Sequence, residues 1–139
     1  MDARRPLALV LALLVLYSMI RDVEDDRDQL ERLALSVALA LKDAHVDYWV
    51  AGGTLLGAHV HKRVMLYDYD VDVVITKRCA RQVHEIPWGA YGLVMYQGYG
   101  GFRIKPGVFS KFRVDVFVVY ESEDGFVHYA WPYLDVMYN

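Results

Sequence analysis

Asp68, Asp70 and Asp72 recur at every second position in the run Asp68-Tyr69-Asp70-Val71-Asp72-Val73-Val74-Ile75. In a β-strand alternate side chains share a face. The spacing therefore predicts three carboxylates on one side, with Tyr69, Val71, Val73 and Ile75 turned into a core. Carboxylates two positions apart on a strand lie about 7 Å apart at Cα, so their oxygens can converge on one cation. Without a cation, like charges at that range would force one of them to take a proton. An all-oxygen, carboxylate-rich site selects a hard cation, Mg²⁺ or Mn²⁺. A further carboxylate, Asp115, is the one acidic residue inside the strand-like run Phe112 to Tyr120. An unpaired charge there would be costly, and a place on a strand beside Asp70 and Asp72 accounts for it.

The complementary half of such a site is Gly52-Gly53-Thr54, at a strand-to-helix junction. Glycines let backbone approach closely, and the N–H groups that open a helix bind phosphate. Carboxylates holding a cation opposite an N–H cradle make a phosphoryl-transfer site. Lys62 and Arg103 are candidates for neutralising phosphate, or plain surface charge. Taken singly these signals are weak: an isolated D-x-D is often a solvated loop or a calcium site, and an isolated Gly-Gly a turn. The order strand, GGT, helix, DxDxD, strand, with a further aspartate in an apolar strand, is much harder to reach by chance. Asp68 lies near the strand entrance and reads as support for the site, not as a direct ligand. His59 and His61 read as solvent-facing, and Tyr67, Tyr69, Tyr96 and Tyr99 as strand cover before base or sugar stacking. Cys79 lies among Lys77, Arg78 and Arg81, but nothing near it suggests nucleophilic catalysis.

The elements that must position these residues can be read from periodicity. Leu30, Leu33, Ala34, Val37, Ala38 and Leu41 repeat at helical spacing within Asp25 to His45, which predicts an amphipathic helix with one buried stripe. Strands are expected at 48–51, 71–75, 93–96, 102–105, 112–120 and 126–129, and short helices at 54–60 and 81–86, the latter ended by Pro87. The glycines between Trp88 and Gly107 supply the turns. The sum is an α+β domain, a mixed β-sheet packed against helices.

The chain has 139 residues, 15 Lys+Arg against 18 Asp+Glu and a net charge of −3, so it offers no general basic field for nucleic acid. One cysteine cannot form an internal disulfide, and no Cys/His spacing fits structural zinc. Much of the hydrophobicity sits in Pro6 to Ile20, fifteen residues without charge, preceded by Arg4 and Arg5 and followed by a mostly acidic stretch. That pattern predicts a signal-anchor helix over 1–21 with a cytoplasmic tip, leaving residues 22–139 as a lumenal domain. The run is shorter than the roughly 20 residues a span requires; a cleaved signal and a core helix are the alternatives.

The stretch Tyr48 to Ile75, YWVAGGTLLGAHVHKRVMLYDYDVDVVI, resembles the LicD and fukutin-related transferases of the nucleotidyltransferase superfamily. Gly53 to Ala58 is similar to the family's GTLLGA, His61-Lys62 to its HK, and Asp68 to Asp72 to its DxDxD, in a form especially similar to the fukutin-related members. Gly101 to Ile104 and Val114 to Phe117 resemble the later strands, including the third metal-binding aspartate. The resemblance implies a nucleotidyltransferase-like fold and a transferase that moves ribitol 5-phosphate or phosphocholine from a CDP-linked donor to a hydroxyl of a glycan or glycoprotein. It implies Mg²⁺ or Mn²⁺ on Asp70 and Asp72, Asp115 as third ligand or base, phosphate binding at Gly52, Gly53 and Thr54, and a Golgi type II membrane protein. Departures are Val60, Arg63 and Leu66-Tyr67, where the family usually has Arg, Gly and Pro-Trp. The part after Asp115 is short, although Tyr133-Leu134 with Tyr138-Asn139 faintly resembles a closing family motif. Two other readings stand beside the transferase: an enzyme that transfers NMP, and a shortened, inactive binding or scaffold copy.

Overall fold

The computed structural model describes residues 4–98 and 100–129, with side chains from residue 8 onward. A long helix, α1 (Arg4–Asp43), leads into a short strand β1 (Tyr48–Val50), helix α2 (Gly52–Val60) and strand β2 (Asp70–Thr76). A 3₁₀ turn and the short helix α3 (Ala80–Glu85) follow, and then four strands, β3 (Val94–Gly98), β4 (Gly101–Lys105), β5 (Arg113–Glu121) and β6 (Val127–Tyr129). Tyr99 and the closing Tyr133-Leu134 and Tyr138-Asn139 lie outside the described residues.

The strands form one mixed sheet in the order β1-β2-β5-β4-β3, with β6 pairing the end of β5 beyond β4. β2 and β5 run parallel at its centre, and the other pairings are antiparallel. This is the expected mixed sheet packed on helices. Central position explains why β2 and β5 read as near-continuous valine runs: both faces are covered over much of their length. Val71, Val73 and Ile75 of β2 and Val114, Val116 and Val118 of β5 are buried. They meet Leu30, Leu33, Val37 and Leu41 of α1, the stripe seen in the sequence. α1 stops where His45 takes a φ of 55° and the Val46 N–H donates back to Leu41 O at 2.9 Å. That bond satisfies a carbonyl the helix would otherwise leave open, and buried Val46 seals the turn.

Three expectations need correction. The first concerns the N-terminal hydrophobic helix. Among the described residues no helix is long and apolar enough to cross a membrane. The physical reason is length: the apolar run falls short of a roughly 20-residue span. It continues without a break into Arg21, Asp22, Glu24, Asp25 and Asp26 as part of α1, with Leu9 to Ile20 exposed. The second follows from the first: the single-pass type II placement, and membrane attachment through that helix, lose their basis. The third is Tyr69, which is about half exposed, not a core residue. β2 begins only at Asp70, and Lys111 Nζ lies 5.4 Å from the Tyr69 ring centroid.

Candidate active site

Strand alternation and register assemble the site. Asp70 and Asp72 project from one face of β2, and Asp115 pairs directly with Asp72 across the parallel β2–β5 ladder. One carboxylate oxygen from each of Asp70, Asp72 and Asp115 lies within 4.8 Å of the others. Arg113 is opposite Asp70 in the same ladder, and Arg103 on β4 is opposite Asp115. Asp115 is buried and both of its oxygens are engaged: Arg103 Nε donates to Oδ1 and Arg113 Nε to Oδ2, each at 2.8 Å. Arg113 also forms an ion pair through Nη2 with Asp70 Oδ2.

Asp72 has no ion pair among the described residues. Burial pushes its carboxyl above the ordinary range, and the charges of Asp70 and Asp115 push it further, with Arg113 opposing them. Asp68 lies outside the strand and is also raised, first by burial and then by Asp70; it is not one of the three converging carboxylates.

The opposite wall is the start of α2. Ala51 precedes it in extended conformation with no side-chain cap, so the first N–H groups of the helix keep no intrahelical acceptor. Gly52 has φ +54°, and a Cβ there would stand 2.7 Å from Asp72 Oδ2. The positive φ favours glycine, and a Cβ would push the Asp72 carboxylate aside. Thr54 is buried, and its hydroxyl accepts the Asp72 backbone N–H at 2.8 Å. The Ala51 N–H donates to Asp72 O at 3.1 Å. Together these bonds pin the helix opening against the carboxylate strand.

Of the residues singled out in the sequence, the structure therefore brings together Asp70, Asp72, Asp115, Gly52, Gly53, Thr54 and Arg103. Lys62 is at the other end of α2, beyond its last residue, where its Nζ donates to His59 O at 2.8 Å. His59 and His61 are exposed. Two features went unassigned in the sequence. Arg113 lies two positions before Asp115, so strand alternation put it on the same face, yet only the register of β2 against β5 shows that it reaches Asp70. Phe117, two positions after Asp115, lines a cavity of about 330 Å³ with Ala51, Gly52, Asp72, Gly100 and Tyr129. Its ring meets that of Tyr129 edge-on at 6.0 Å.

A mixed sheet carrying two aspartates on one central strand and a third on its parallel neighbour, beside a glycine-opened helix, defines a nucleotidyltransferase-like domain. The solved structures agree at the level of fold. The solution structure of the antibiotic-resistance factor ANT(2'')-Ia superposes with a TM-score of 0.56 at 18% identity, covering 76% of this chain and 54% of that one. Its crystal structure in complex with adenylyl-2''-tobramycin gives 0.52 at 17% identity, over 74% and 56%. Residues 45–137 match the family model for the LicD/FKTN/FKRP nucleotidyltransferase domain. The chain belongs to that family. It is 32% identical over 105 residues to the ribitol 5-phosphate transferase FKRP of Homo sapiens, across 75% of this chain and 20% of that protein. An uncharacterized protein of Rickettsia typhi, RT0683, is 29% identical over 109 residues, across 70% and 33%. The chain thus spans a third or less of the length of these relatives. Family and relatives together support a transferase of phosphate-containing groups.

Proposed function

We propose that this domain transfers a phospho-alditol such as ribitol 5-phosphate, or phosphocholine, from a CDP-linked donor to a hydroxyl of a glycan or glycoprotein. The observation that carries the reading is the convergence of Asp70, Asp72 and Asp115 within 4.8 Å, facing the uncapped start of α2. The donor set fits a hard divalent cation: three carboxylates, all oxygen, at the range where one ion can join them. The acidic excess and the raised carboxyl of Asp72 describe a site short of positive charge. Mg²⁺ or Mn²⁺ held there would neutralise the donor diphosphate and stabilise the charge that develops on the departing CMP.

The chain's own residues divide the remaining work. Gly52 and Gly53 open α2 close to Asp72 and Asp68, without a side-chain cap, and their N–H groups suit a phosphate oxygen. Thr54 acts through its bond to Asp72, fixing where that carboxylate stands relative to the helix. Arg103, half exposed at the rim, suits a second phosphate. The cavity floored by Phe117 and Tyr129 is apolar and adjoins Asp72, which suits the flat, uncharged part of a donor. Asp115, buried on the rung beside Asp72 with both oxygens already accepting from arginines, is assigned as the third cation ligand and not as the base.

Calorimetric titration of the full chain with CDP, CDP-choline and CDP-ribitol, with and without Mn²⁺, tests this reading. Metal-dependent binding of a cytidine diphosphate compound, lost in Asp70→Asn, is the expected result. Release of pyrophosphate from a nucleoside triphosphate would assign NMP transfer instead. A folded chain that binds Mn²⁺ but no donor would be an inactive copy of the fold.

A further inference from the structure

We propose that Arg113 is the built-in counter-cation of the carboxylate cluster, competing with the divalent ion for Asp70 and Asp115 and so setting the site's affinity for metal. The inference rests on the reading of Asp70, Asp72 and Asp115 as a cation site. Its basis is the way one guanidinium is shared. Nε donates to Asp115 Oδ2 at 2.8 Å while Nη2 pairs with Asp70 Oδ2. These two oxygens belong to two of the three carboxylates that converge. The planar fork of arginine spans two acceptors in one plane, which a lysine ammonium cannot imitate.

The position is dictated by the sheet. Arg113 precedes Asp115 by two residues on β5, so it shares that face, and the parallel register sets it opposite Asp70. It is less than a third exposed, so its charge is only partly screened. A single guanidinium thereby holds together carboxylates that would otherwise repel one another. An ion that takes the same oxygens must displace it, and it remains nearby as a like charge to the metal. Arg103 differs. Among the described residues its one ion pair is with Asp115, through the other oxygen, and it is half exposed. The two arginines therefore separate general charge from direct competition.

Mn²⁺ binding to the full chain, followed by the electron paramagnetic resonance signal of the free ion, measures the effect without any turnover. Arg113→Gln should bind Mn²⁺ about tenfold tighter or more, because two charge-assisted bonds no longer need breaking. Its metal-free Tm should fall, and the Tm rise on adding Mn²⁺ should exceed that of wild type. Arg113→Lys, which keeps the charge without the fork, should lie between, and serves alone if the glutamine variant does not fold. Arg103→Gln should change affinity less than Arg113→Gln. Binding by Arg113→Gln where wild type shows none would support the inference in its strongest form. Affinity in Arg113→Gln or Arg113→Lys equal to or weaker than wild type would overturn it, since Arg113 would then be orienting Asp115 for the metal. If neither wild type nor any variant bound Mn²⁺, the cation site itself would fall and the inference with it.

Discussion

Burial raises the carboxyl of Asp72 above its ordinary range, and the neighbouring charges of Asp70 and Asp115 add to the strain on its ionised form. Removing that charge should relieve the metal-free protein while ruining the site. Asp72→Asn is therefore expected to raise Tm in EDTA at neutral pH and to abolish Mn²⁺ binding. Asp70→Asn and Asp72→Asn should each lower transfer by more than about 100-fold, above the range typical of a residue that only supports a metal ligand. Steady-state rates on protein shown to be folded by circular dichroism check this. Gly52→Ala is a sharper probe, because its Cβ would stand 2.7 Å from Asp72 Oδ2 at a backbone φ of +54°. It should cost about 1 kcal/mol or more in urea unfolding and weaken Mn²⁺ binding although every carboxylate is retained. At this scale the sequence was highly legible for side chains whose spacing follows strand alternation. Asp70, Asp72 and Asp115 announce themselves because charge inside an apolar strand is expensive. Arg113 did not, because a cation beside an anion in sequence has an easy surface explanation. Its partner Asp70 is 43 positions away.

The elements were legible to the extent that each carries its own period. The α1 stripe from Leu30 to Leu41, the α2 opening at the glycines and the valine runs of β2 and β5 follow from local pattern alone. What local pattern lacks is direction and register: Asp115 pointed to a strand beside β2, but nothing in the valine runs says that the two run parallel with Asp72 and Asp115 on one rung. Tyr69 marks the same limit, since alternation cannot tell where a strand starts, and Tyr69 falls one residue before it. The join between α2 and β2 is testable. Thr54→Val removes the acceptor of the Asp72 N–H and should cost about 1–3 kcal/mol, with a larger loss of donor binding than a mutation in the core. Leu41→Ala, fully buried between α1 and the sheet, should cost about 2–5 kcal/mol and leave the Mn²⁺ affinity of the surviving folded fraction unchanged.

Over the whole molecule, α1 is tied to the segment after α2 by Arg63. Its guanidinium reaches Asp28 Oδ1 at 2.6 Å and Glu31 Oε1 and Oε2 at 3.0 and 2.8 Å. The Arg63 bonds, above all, hold the carboxyl of Glu31 below its ordinary value. A depressed carboxyl contributes stability above the unfolded value, and that stability is lost as pH falls through the folded one. Glu31→Gln should therefore lower Tm at neutral pH and flatten the fall of Tm below about pH 4.5, the ordinary glutamate value. Thermal melts across roughly pH 3–7, the carboxylate range, read both effects. Arg63 falls outside the motif residues read from the sequence, so this tie needed the fold. The unbroken course of α1 was likewise hidden, because composition changes sharply at Ile20 while helix geometry does not. The direct pairing of Asp72 with Asp115 has one more implication, for how chain length is free to vary. A single rung of the ladder sets the gap between the two carboxylates, so a one-residue insertion within β2 or β5 would turn one of them to the wrong side of the sheet. The loops between those strands are slack by comparison. They can lengthen or shorten without moving either carboxylate, provided that β4 still delivers Arg103 to the rim.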